Sequence, residues 1–86
     1  MNKQDIISII EKLKAKRTAA LRTKRGAILE QRASVDRLAS NIDSVCNRLV
    51  SFWNMSRDPD LLPLQREHAA VYFDNVLAEA ELWLAY

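Results

Sequence analysis

The chain has one cysteine, one glycine, one histidine and two prolines among its 86 residues. Each scarcity removes a class of explanation. With Cys46 alone, no intrachain disulfide can staple the fold, and a lone thiol among apolar neighbours fits packing in a reducing compartment. With Gly26 alone, no glycine-rich loop can cradle a phosphate. His68 has no second His or Cys at ligand spacing, so no metal site is expected. Acids such as Glu79 and Glu81 stand two apart and do not share a helix face. No apolar run approaches the ~20 residues a membrane span needs. The opening MNKQDIISIIEKLK is interrupted by charge and lacks the continuous apolar region and cleavage site of a signal peptide. These absences read as a cytoplasmic, non-enzymatic protein with no catalytic residues, no cofactor and no small-molecule substrate.

What is present favours helix. Apolar residues make up 49% of a chain with almost no helix breakers. At this length one domain is expected, with a small core. The net charge of +2 conceals a polarity. Residues 1–32 carry nine Lys/Arg against three Asp/Glu, and residues 58–86 carry six acids against Arg66 alone. The two ends would attract each other or attract different partners.

Asn2 followed by Asp5 is a helix start, an N-cap with an acid in the first turn. Ile6, Ile9, Ile10 and Leu13 then fall at helical spacing. Further on, Val35, Leu38, Ile42, Val45, Leu49 and Phe52 alternate steps of three and four, a coiled-coil seam widened by Ala39, Cys46 and Trp53. Ser40, Asn41, Ser44, Asn47, Ser51 and Asn54 form the opposite, polar face. Gly26 follows Lys24 and Arg25, as at a helix C-terminus. Ala27, Ile28 and Leu29 are poor caps, however, and one residue is too short a connection between helices. The pattern therefore favours a first helix that runs through Gly26, continuous or kinked, at a cost of about 1 kcal/mol relative to alanine.

The break lies at residues 56–63, where Asp58 precedes Pro59 and Pro63 follows. The second helix settles at Pro63 or Leu64. Ala69, Ala70, Phe73, Val76, Leu77, Ala80, Trp83 and Leu84 give it a wide apolar stripe, with Asp74, Ala78 and Glu81 opposite. The expected fold is all-α. A long N-terminal helix and a shorter C-terminal helix form an antiparallel hairpin over residues 33–86, and residues 1–32 form a basic helical arm. The C-terminal helix, about 35 Å long, cannot cover a first helix of about 80 Å. Isolated helices in water are marginal. Ile6, Ile9, Ile10 and Leu13 are accordingly read as an apolar partner interface, with a three-helix bundle folded back at Gly26 as the alternative. The terminal LWLAY is expected to pack on the first helix.

Residues 12–25 hold Lys12, Lys14, Lys16, Arg17, Arg22, Lys24 and Arg25 and no acid. Extending the Val35 seam backwards puts Lys24 and Arg17 on it, so a parallel homodimer would stack like charges. The functional expectation is an interaction or regulatory protein that binds a partner protein or assembly through this basic helix. The partner would be an acidic surface, either of another protein or of the acidic C-terminal helix (Glu67, Asp74, Glu79, Glu81) in a second subunit. One alternative is a nucleic-acid-associated regulator that places the same residues on phosphates, without base stacking because the segment has no aromatics. Another is a structural or chaperone-like subunit that oligomerises by helix packing. In architecture alone, through the Asp58-to-Pro63 turn, the hairpin resembles small secretion-system proteins, their chaperones and small phage-encoded regulators; no residue roles follow from that likeness.

Overall fold

The computed structural model describes residues 1–26 and 28–85. Helix α1 spans Lys3–Thr23, a 3-10 turn follows at Lys24–Gly26, α2 spans Leu29–Ser56 and α3 spans Pro63–Ala85. The described residues contain no strand. The all-α expectation holds, and the hairpin of α2 and α3 is present. The first helix does not run through Gly26. The chain reverses between α1 and α2, and α1 packs on both α2 and α3, so the three-helix alternative is the one that forms.

The start of α1 is set locally. Asn2 Oδ1 accepts from the Asp5 N–H at 2.9 Å, and Asp5 Oδ2 accepts from the Asn2 N–H at 3.0 Å, a reciprocal capping box. The other two helix starts use a half version of this device. Ile28 and Leu62 stand at the N-cap positions and have no side-chain acceptor to offer. In each case a glutamine three residues on receives the cap N–H: Gln31 Oε1 from Ile28 at 3.4 Å, and Gln65 Oε1 from Leu62 at 3.0 Å. This is how α2 begins among residues that look like poor caps.

The α2–α3 connection is more heavily bonded. Asp58 Oδ1 accepts from the Asp60 N–H at 2.9 Å, closing an Asx turn. The Arg66 guanidinium reaches back from the first turn of α3 to the carbonyls of Asp58 (3.3 Å), Pro59 (3.5 Å) and Leu61 (2.7 Å). Pro63 opens the helix, where its missing N–H costs nothing.

Pair contacts fix the register. Arg17 meets Asp43 and Lys24 meets Asp36, so α1 and α2 run antiparallel. Arg48 meets Glu79 and the Trp53 ring meets the Phe73 ring, so α2 and α3 also run antiparallel. Helix α1 therefore lies parallel to α3, with Lys16 Nζ donating to the Trp83 carbonyl. The end of α3 thus comes opposite the middle of α2. The first turns of α2 lie beyond the last turn of α3, opposite the last turns of α1 and the 3-10 turn, and the molecule is drawn out to 50 × 22 × 19 Å.

The core confirms the α2 seam. Ile42, Val45 and Leu49 are fully enclosed, Cys46 is buried beside them, and the Ser40–Asn54 polar face is exposed. Phe73, Val76 and Ala80 enter from α3, and Ile6 and Leu13 from α1, with Ile9 and Ile10 packed against the same cluster. The four residues expected to meet a partner are therefore committed to the chain's own core. Burying them against α2 and α3 outweighs the weak local signals at 27–29, because packing of an apolar face stabilises helices more than propensity does. Trp83 and Leu84 pack on the core as expected, while Tyr86 and Ala27 lie outside the described residues.

Candidate interaction surfaces

Folding back divides the seven basic residues of α1 and its 3-10 turn. Three point along the bundle seams. Lys24 Nζ bonds Asp36 Oδ1 at 2.7 Å. Arg17 Nε lies 2.9 Å from Asp43 Oδ1, within ion-pair distance but without hydrogen-bond alignment. Lys16 is held by the Trp83 carbonyl. Arg17 and Lys24 are the residues that would repel across a parallel homodimer seam; in the folded-back chain each finds an acid on α2 instead. These pairs are partly exposed and each contributes about 0.2–1 kcal/mol. They orient α1 more than they hold it.

Lys12, Lys14, Arg22 and Arg25 remain exposed and make no ion pair among the described residues. Thr18, Arg22 and Arg25 follow one another at steps of four and three, so they form a stripe on the outer side of α1, and Lys14 precedes them on the edge towards Cys46. A shallow groove of about 520 Å³ is lined by Thr18, Leu21, Arg22 and Arg25. Lys12 projects from the other flank. The basic segment is therefore not one continuous binding face.

The stripe ends at the tip, where α1 turns into α2. Here Ile28 and Leu29 are 63% and 82% exposed. An apolar knob thus follows the exposed Arg22 and Arg25 within seven residues of chain. A second groove, of about 710 Å³, runs between the helices behind the tip, lined by Thr23, Gly26, Glu30, Gln31, Ser34 and Val35. Ser34 lies two heptads before Arg48, which meets α3, so this groove continues the seat of α3 beyond its last turn. Four of the six lining residues carry polar side chains, yet the surface they present is more apolar than polar.

Other chemistry is sparse. Burial raises the pKa of the Cys46 thiol; Lys14 pulls against the rise and Asp43 adds to it. The thiol is thus protonated at neutral pH and serves as a small apolar side chain. His68 is exposed on α3. Among the described residues no group of three His, Cys, Asp or Glu could hold a metal ion, and no helix is long and apolar enough to cross a membrane.

Two features escaped the sequence reading. The exposure of Ile28 and Leu29 was hidden because a continuous helix would have placed them within it. The outer face of α3, expected to lie simply opposite the apolar stripe, carries exposed Leu64, Val71 and Leu82. Their spacing was the available signal. Comparison with protein-family models, curated proteins and solved structures gave no match.

Proposed function

We propose that this chain is a small, non-enzymatic interaction protein that grips an acidic surface on a partner protein with the outer side of α1 and the α1–α2 tip. The observation that carries this reading is the tip itself, where exposed Ile28 and Leu29 follow exposed Arg22 and Arg25 along the chain. Protein interfaces combine an apolar centre with a polar rim and favour arginine. A nucleic-acid backbone offers phosphates but nothing for two large aliphatic side chains to enter. Lys14 extends the basic stripe away from the tip, and Lys12 supplies charge that steers an acidic partner towards α1. The core below acts as a rigid handle.

The test uses a photo-crosslinking amino acid at position 29 of the full chain, in the cells that make it. The expected product is a covalent adduct with a protein, lost when Arg22 and Arg25 are both changed to Glu. In parallel, binding to a generic DNA or RNA duplex is measured across a salt series. No duplex affinity is expected at about 0.15 M salt. An adduct with nucleic acid, or duplex binding abolished by changing Lys14, Arg22 and Arg25 to Glu, would transfer these residues to phosphate recognition.

A further inference from the structure

Helix α3 is apolar on two sides. Its inner side, with Ala69, Phe73, Val76 and Ala80, is buried in the bundle. On its outer side Leu64, His68, Val71, Asn75, Ala78, Leu82 and Ala85 alternate steps of four and three along the whole helix, and all seven are exposed. Leu64, Val71 and Leu82 are 60%, 57% and 70% accessible. This is a heptad seam, the pattern by which one helix seats another. Surface helices normally present charge to water on this side, and helices apolar all round are normally enclosed.

The flanks of the seam say what kind of helix fits. Along one edge, Glu67, Asp74 and Glu81 repeat every seven residues, all exposed. Along the other, Gln65, Tyr72 and Glu79 repeat in the same way, and Glu79 is already engaged by Arg48. A second copy of α3 packed antiparallel would set one acidic row against the other. Packed parallel, it would bring Asp74 towards Glu79. Neither pairing is favourable. No other helix of a second copy presents a matching seam: the apolar stripes of α1 and α2 are used within the bundle, and the large apolar side chains left exposed on α2, Leu29, Val50 and Met55, are too widely spaced to form one.

We infer that the outer face of α3 is a seat for one amphipathic helix of a different protein, an apolar seam flanked by lysine or arginine. Val71 and Leu82 are its apolar anchors. The row Glu67, Asp74 and Glu81 selects basic flanks, and His68 and Asn75 fix the register, as polar residues on a seam do. This surface is separate from the basic tip and does not depend on it, so the chain has two faces of opposite charge preference.

The full chain is titrated against two labelled synthetic helices with the same leucine seam, one flanked by lysines and the other by glutamates, and binding is read by fluorescence anisotropy. The lysine-flanked helix should bind at least about tenfold more tightly than the glutamate-flanked one. Val71→Asp with Leu82→Asp should weaken that binding by about tenfold or more. Both side chains face solvent, and unchanged circular dichroism would establish that the variant is folded. Changing Glu67, Asp74 and Glu81 to Lys should invert the preference. Equal binding of the two helices, binding of neither, or lysine-helix binding indifferent to Val71→Asp and Leu82→Asp would overturn the assignment. So would sedimentation of the chain alone as a dimer that Val71→Asp dissociates, since that would give the seat to a second copy.

Discussion

The two ends of the molecule are built from the same helices under different constraints. At one end, the N-terminal turns of α1, residues 42–56 of α2 and nearly all of α3 enclose Leu13, Ile42, Val45 and Leu49 completely. At the other, the last turns of α1 and the first turns of α2 lie beyond the end of α3; Leu21 and Val35 are only half-buried, and close burial resumes at Ala39. A two-helix layer cannot close around its apolar residues. The three-helix end therefore carries stability, and the two-helix end is free to carry exposed side chains that stability does not need. Surfaces that bind are commonly drawn from such weakly enclosed parts of a fold.

The sharpest way to break this contrast is truncation at matched sites on α1. Leu13→Ala should cost about 2–5 kcal/mol, as removal of a fully enclosed leucine does. Leu21→Ala, half-exposed at the two-helix end, should cost about 1 kcal/mol or less. Denaturant unfolding monitored by the tryptophans measures both. Equal losses would mean that the tip is as tightly built as the base, and a negligible loss at Leu13 would put α1 outside the core.

Amide hydrogen exchange sharpens the same boundary. Residues 42–50 should exchange only through global unfolding, while residues 29–38 exchange through local opening, with protection lower by about tenfold or more. Uniform protection along α2 would dissolve the distinction.

Gly26 gives a smaller effect of opposite sign. Its φ is not positive, and a Cβ built there meets nothing within 4 Å. Gly26→Ala should stabilise the chain by about 0.4–1 kcal/mol by reducing the freedom of the unfolded state. A loss would show that reversal at the tip needs glycine after all.

The smallest effect lies in the ion pairs at the tip. A double-mutant cycle on Lys24 and Asp36, both partly exposed, should give a coupling of about 0.2–1 kcal/mol that shrinks with added salt. A much larger coupling would make electrostatics, rather than apolar burial, the agent that folds α1 back.

Some of this was legible residue by residue. The three-four spacing from Val35 to Phe52 marked the seam that became the core, and Pro63 marked the start of α3. The Asn2–Asp5 pair marked the first cap. These features are local, and their periods and caps act within a turn or two of helix. The division of the basic segment was not legible. Nothing near Lys16, Arg17 or Lys24 in sequence shows that Trp83, Asp43 and Asp36 would be placed beside them.

By itself, the sequence determined that the chain is helical, where two of its helices begin, which face of α2 is buried and that charge is polarised from end to end. Periodicity and capping depend only on neighbours along the chain, which is why they could be read there. Only the tertiary structure decided that the chain turns back between α1 and α2, that Ile6 and Leu13 enter the core with Ile9 and Ile10 packed against it, and that a basic tip and an apolar, acid-edged face of α3 are left exposed. The reversal depends on a comparison between weak local preference and the burial of four large aliphatic side chains against helices far away in sequence, and that comparison exists only once the helices are packed.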